Sequence, residues 1–157
     1  MTALDRALKL LARKARTAAE MDRALERQGV GKEERHAAVA RLRELGYMDD
    51  AAVAQGRART LVEQGFAPRL AAARLLAQGV EGALARGAAV EAAGGATERE
   101  LVRRALERRL RGRQPRDQAE RRRLFRALAA KGHRPALVAE ALRIEWDGDD
   151  DAMDQDR

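Results

Sequence analysis

The chain has 157 residues, a net charge of +7 and 45% hydrophobic residues, with aromatics at only 3%, so its core has to be built from Leu, Val and Ala, which suits thin helix–helix interfaces. With no Cys there are no disulfides or thiolate metal sites, and with no Ser there is no serine nucleophile. His36 and His133 stand far apart without a second His or a Cys nearby, which argues against zinc, and no apolar run approaches the roughly 20 residues that span a bilayer. The opening MTALDRALKLLARKAR breaks its apolar positions with Asp5 and Arg6 and does not read as a signal peptide. A cytoplasmic protein with no cofactor, metal or membrane partner is therefore expected. Charge is distributed unevenly: residues 145–157 hold seven acids and one base, and the first 144 hold 31 bases and 18 acids. A basic body with an acidic tail points to a polyanionic or acidic partner.

Apolar residues recur at spacings of three and four nearly throughout, which predicts helices and no strands. Leu4, Ala7, Leu8, Leu11 and Ala15 make the first stripe. Thr17 with Glu20 is a capping box that opens a second helix ending at Gly29. A third covers about 32–45 and stops at Gly46, and a fourth starts near Asp50 and stops before Gly65. Pro68 is well placed to open a fifth, which ends at Gly79. Residues 81–93 form the weakest element, an Ala-rich run interrupted by Gly82 and Gly87. After Gly94 and Gly95, Thr97 with Glu100 forms a second capping box, and two further helices cover about 116–131 and 135–143.

An internal period organises these elements. Leu25/Gly29, Leu75/Gly79 and Leu128/Gly132 each place a Leu four residues before a Gly, with Met21, Ala71 and Leu124 four residues earlier. The expected fold is therefore all-α, with three tandem three-helix repeats over 1–48, 49–95 and 96–146, followed by an acidic disordered tail over 147–157. Stacked units of this kind make an elongated, curved body with an extended binding surface.

Two stretches carry candidate chemistry. In "GYMDD" (46–50) the adjacent Asp49 and Asp50 cannot point the same way on any regular element, which suits neither an acid–base pair nor a metal clamp. Between a helix-stopping Gly and a new helix they suit capping, with Tyr47 packing its ring into the joint. The second stretch, between Arg99 and Arg126, holds twelve Arg against four acids. Arg104, Arg108 and Arg111 are spaced to share one helical face, and Arg121, Arg122 and Arg123 follow. Such guanidinium stripes track phosphates or clamp carboxylates. The competing reading is a solvated face laced with pairs such as Glu100–Arg104. Few aromatics are present for base stacking, so any DNA contact would be backbone-directed and salt-sensitive. "GVGK" (29–32) ends like a phosphate-binding loop but has Glu26 where that loop needs Gly, and no motif argues for an enzyme.

"RLRELGYMDDAAVA" (41–54) resembles a signature of the RecX regulatory protein family, modulators of the RecA recombinase. "EQGFAPRLAAARLLAQGV" (63–80), "RTAAEMDRALERQGV" (16–30) and "RRRLFRALAAKGHRPALVAEAL" (121–142) are similar to its other repeat segments, so that the likeness runs over about 4–144. Val53 stands where the family prefers an aromatic, and 81–95 is poorer in bulky residues than usual. The resemblance implies a non-enzymatic monomer of three helical repeats that binds RecA protomers in the groove of the RecA–single-stranded DNA filament. It implies modulation, with inhibition the expected sign, of recombination, ATP hydrolysis and the cleavage that releases the SOS response to DNA damage. The six arginines as contacts rest on charge alone and are not carried over from the family. Rival readings are a helical protein that binds DNA without specificity and competes for it, and a scaffold for some other partner. In the tail, Asp149–Asp151 is expected to screen the basic stripe.

Overall fold

A computed structural model describes residues 1–148, which form nine α-helices and no strand. They are α1 (Ala3–Leu11), α2 (Ala18–Arg27), α3 (Lys32–Glu44), α4 (Asp50–Glu63), α5 (Pro68–Ala77), α6 (Gly82–Ala93), α7 (Glu98–Leu110), α8 (Gln118–Ala130) and α9 (Pro135–Leu142). Residues 149–157 of the expected acidic tail lie outside the described residues. Helices pack in consecutive threes, α1–α3, α4–α6 and α7–α9. Each trio has its own buried centre: Met21, Leu25 and Leu42 in the first, Leu75, Val80 and Ala85 in the second, and Leu124, Phe125 and Leu128 in the third.

Most helix starts sit where the sequence places them. Thr17 and Thr97 each accept from the amide of the third helical residue, Glu20 or Glu100, whose carboxylate accepts in turn from the cap amide. Thr2 and Asp5 form a third box at the head of α1. Two expectations need correction. Helix α1 ends at Leu11, so Ala15 is not part of its stripe. The 81–93 stretch is not weak: α6 packs more extensively on α4 and α5 than any other pair of helices in the molecule packs together. Its small residues are the reason, since Ala85, Ala88 and Ala89 are buried and let three helices approach closely, while Glu81 caps the free amides of Ala83 and Leu84.

The Leu-to-Gly period has a definite geometric cause. Gly29, Gly79 and Gly132 adopt left-handed φ angles of 77°, 87° and 90°. The residue after each Gly donates back to the Leu carbonyl five positions earlier: Val30 to Leu25, Val80 to Leu75 and His133 to Leu128. This is the six-to-one bond of a Schellman C-terminus, which also buries the residue after the Gly against that Leu. All three Leu are fully buried, and burying such a side chain contributes about 1.5–3 kcal/mol.

The same turns join one trio to the next. The Thr17 hydroxyl, at the cap of α2, donates to the Gln78 carbonyl at 2.8 Å, and the Ala67 amide, at the cap of α5, donates to the Lys131 carbonyl at 2.8 Å. In both junctions the second helix of one trio offers its cap residue to the carbonyl just before the glycine of the next. Backbones meet so closely that a β-carbon on Gly79 would lie 2.3 Å from Ala19 Cβ, and one on Gly132 would lie 2.6 Å from Leu70 Cβ. Gly29 has no preceding trio, and a β-carbon there would meet nothing.

Candidate functional site

Asp49 and Asp50 both act as caps, on different helices. Asp49 accepts from the Ala52 amide at the head of its own helix, α4. Asp50 accepts from the Ala18 amide at 2.9 Å, so it caps α2 from 32 residues away and ties the first two trios together. Arg57 on α4 strengthens the same joint: its guanidinium spans both oxygens of Glu20 at 2.8 and 2.9 Å and also donates to the Gln78 side chain and the Ala15 carbonyl. Burial disfavours a charged Glu20, but hydrogen bonds from Arg57 and the Thr17 backbone outweigh it and keep this carboxyl below its ordinary pKa. Gly46 takes the left-handed turn that ends α3. Tyr47 does not pack into the joint as expected: it is 62% exposed, and Met48 is the residue buried there. With Gly46 left-handed, Tyr47 is carried past the turn to the surface and Met48 enters the first core.

The six arginines do not form one stripe. Arg104 and Arg108, one turn apart on α7, line a cleft of about 270 Å³ together with Glu63, Phe66 and His133. Arg108 also donates to the Glu63 carbonyl. Arg111 leaves the helical face, because it is the C-cap of α7 in a left-handed conformation. Arg121, Arg122 and Arg123 are consecutive on α8, so they fan around the helix; the first two are half-buried and Arg123 is exposed. Just before these three, Arg113 and the Arg116 amide clamp Glu120 and hold its carboxyl at about 2.

A tighter concentration of charge lies where the second and third trios meet, and sequence reasoning missed most of it. Lys131, the C-cap of α8, donates to the Gln64 carbonyl at 2.6 Å and sits 4.6 Å from the centre of the Phe66 ring. Arg74 of α5 lies 4.3 Å from the same ring. Arg108 and Arg109 of α7 join Lys131, Gln64 and Gly65 around a second cleft of about 300 Å³. Burial, and then repulsion from Arg109, Arg108 and Arg74, pushes the Lys131 ammonium below its ordinary pKa. Beside it the His133 imidazole, 1% exposed, donates through Nε2 to the Gly65 carbonyl at 2.8 Å, and its Nδ1 has no partner. Burial keeps that ring below its ordinary pKa, against the pull of the Gly65 hydrogen bond. The cluster draws on four separate stretches of chain, and helical spacing could reveal only Arg104 and Arg108. Among the described residues no group of three or more His, Asp or Glu is placed to hold a metal ion, and no helix is long and apolar enough to cross a membrane.

Two comparisons bear on the fold and one on its first trio. The chain superposes on a crystal structure of RecX from Lactobacillus salivarius with a TM-score of 0.66 at 18% identity, over 90% of this chain and 92% of that one. It superposes on a second crystal structure of a regulatory protein RecX with a TM-score of 0.64 at 21% identity, over 90% of this chain and 70% of that one. Residues 3–42 match the family model described as RecX, first three-helix domain. At the level of sequence, two curated relatives named Regulatory protein RecX, from Stenotrophomonas maltophilia strains R551-3 and K279a, are 34% and 33% identical over 148 residues, covering 93% of this chain and 88% of each relative. With the same trio at its start, the same fold along its length and that identity sustained over nearly all of it, the chain belongs to the RecX family of regulatory proteins.

Proposed function

We propose that this protein binds RecA protomers within the RecA–single-stranded DNA filament and, by bridging neighbours, inhibits ATP hydrolysis, strand exchange and the cleavage RecA stimulates in the SOS response. The observation that carries the reading is the sequence identity to regulatory proteins named RecX across 93% of the chain. Three trios, with boundaries at residues 48, 95 and 146, would make a long body acting in the cytoplasm as a monomer. Such a body suits a filament groove, because many weak contacts on one rigid frame add through effective concentration. A wedge across two protomers restrains their relative motion, on which cooperative hydrolysis depends.

A second reading has an observation in its favour. The cation cluster around Phe66 would attract DNA itself, and competition for DNA would also reduce RecA activity. Co-sedimentation separates the two. Filaments are formed on single-stranded DNA with a non-hydrolysable ATP analogue, at a salt concentration where naked DNA no longer retains the protein. Co-pelleting with filaments under those conditions is expected; recovery only in the supernatant would leave competition for DNA as the better account.

A further inference from the structure

Three of the chain's four lysines, Lys9, Lys14 and Lys32, stand exposed on the first trio; the fourth, Lys131, is half-buried at the seam between the second and third. There it lines the cleft of about 300 Å³ together with Arg108 and Arg109. Its Nζ is held in place from two sides, donating to the Gln64 carbonyl at 2.6 Å and lying 4.6 Å from the centre of the Phe66 ring. Arg108 is anchored to the Glu63 carbonyl. Arg109 has no hydrogen-bond or ion-pair partner among the described residues, which leaves its guanidinium to a ligand.

An amine attacks a carbonyl carbon through its lone pair, and an ammonium has none to offer. The surroundings of Lys131 act in both directions. The Gln64 carbonyl and the Phe66 face favour the charged form. Burial, and then Arg109, Arg108 and Arg74, disfavour it and prevail, so this ammonium gives up its proton more readily than an ordinary lysine's. The carboxylate of Glu63 belongs to the adjoining cleft, beside Arg104. Two of the guanidiniums that ease this deprotonation stand in the same cleft as the amine, and guanidinium forks are suited to gripping phosphate oxygens.

The geometry points to Lys131 as a site of acylation by small acyl phosphates, with Arg108 and Arg109 gripping the phosphate while Nζ attacks the acyl carbon. The new N–C bond forms as the C–O bond to phosphate breaks. The electron pair of that bond leaves with the phosphate, which also takes up the proton that the nitrogen sheds. An amide and hydrogen phosphate are the products, and no oxidant or reductant is needed. Seating the phosphate beside the amine turns a chance encounter into an oriented one. A neutral ester gives the guanidiniums nothing to hold, so the cleft favours an acyl donor with an anionic leaving group. Acylation removes one positive charge from the seam and the ammonium that Phe66 faces, so the charge there would follow the supply of acyl phosphate. This inference goes beyond the filament reading and does not depend on it.

The test treats the full chain with acetyl phosphate and, separately, with the neutral acetyl ester of N-hydroxysuccinimide, and follows acetylation of each lysine by peptide mass spectrometry. Lys9, Lys14 and Lys32 are internal controls with the advantage of exposure. With acetyl phosphate, Lys131 should be modified at least about threefold faster than any of them. With the neutral ester that preference should shrink. Arg109→Gln should lower the acetyl phosphate preference at least about twofold, while Arg27→Gln, an equal loss of charge at an exposed site at the end of α2, should leave it as in the wild type. Lys131 reacting no faster than the exposed lysines would overturn the proposal. So would a preference equally large with the neutral ester, or one that Arg109→Gln leaves intact or Arg27→Gln lowers as much.

Discussion

His133 occupies a position that the other two trios give to Val30 and Val80, the buried residue following the left-handed glycine. Nδ1 is unpartnered, and enclosure of the ring is the main force against its protonation; Arg69 and Lys131 oppose it as well, while the Gly65 hydrogen bond and Glu98 favour it. Unfolded, the ring would titrate near its ordinary value of 6.5. The folded pKa is lower, so between it and 6.5 the unfolded chain binds more protons. The stabilisation is complete above about pH 6.5 and declines as pH falls towards the folded pKa. His133→Val should remove this component: thermal melts of the variant should vary less between pH 7.5 and 5.5 than those of the wild type. An equally steep decline in both would mean that His133 does not drive it. A lone His with no partner in the sequence gave no hint of this, because its burial follows from a turn and its ring partner, Gly65, is 68 residues away. Tyr47 teaches the complementary lesson: an aromatic beside a helix-stopping glycine reads as packing, but the left-handed turn hands that task to Met48.

At the scale of elements, the glycines divide into two kinds. At Gly29, alanine meets only the left-handed backbone cost of roughly 1–2 kcal/mol. Gly79 and Gly132 add a collision with the preceding trio, at Ala19 and Leu70, and overpacking costs a further 1–3 kcal/mol or so. Gly79→Ala and Gly132→Ala should therefore melt at lower temperature than Gly29→Ala; three equal shifts would show that the junctions absorb a methyl freely. The helix-ending role of these glycines was legible, because a Leu four residues earlier and an apolar residue one later are local signs of a Schellman turn. Their docking role was not, since Ala19 and Leu70 are about 60 residues distant in each case. Asp50 and Arg57 were opaque for the same reason: a capping residue normally serves its own helix, and Asp50 serves one that starts at Ala18. The Ala-rich α6 looked weak because propensity and bulk were judged apart from packing, where small side chains are what allow three helices to close. The arginine stripe failed in part through its end: Arg111 satisfies the helical spacing but sits where the helix has already stopped.

For the whole molecule, apolar spacings of three and four made the all-α architecture legible, and the charge distribution pointed to residues of the third trio. What the period could not supply is the seam, where Arg74, Arg108, Arg109 and Lys131 meet only after the second and third trios have docked. Two junctions, each held through a cap residue and a glycine turn, would present the trios to a filament as one body. The proposed bridging of neighbouring RecA protomers needs such a body, and inhibition at low occupancy would follow from it. The most direct measurement is the single-stranded-DNA-dependent ATPase of preformed RecA filaments with this protein at about one per ten RecA protomers, where mass action excludes sequestering the DNA. Strong inhibition at that ratio is the predicted result; no effect until the protein is in excess would contradict direct action on the filament.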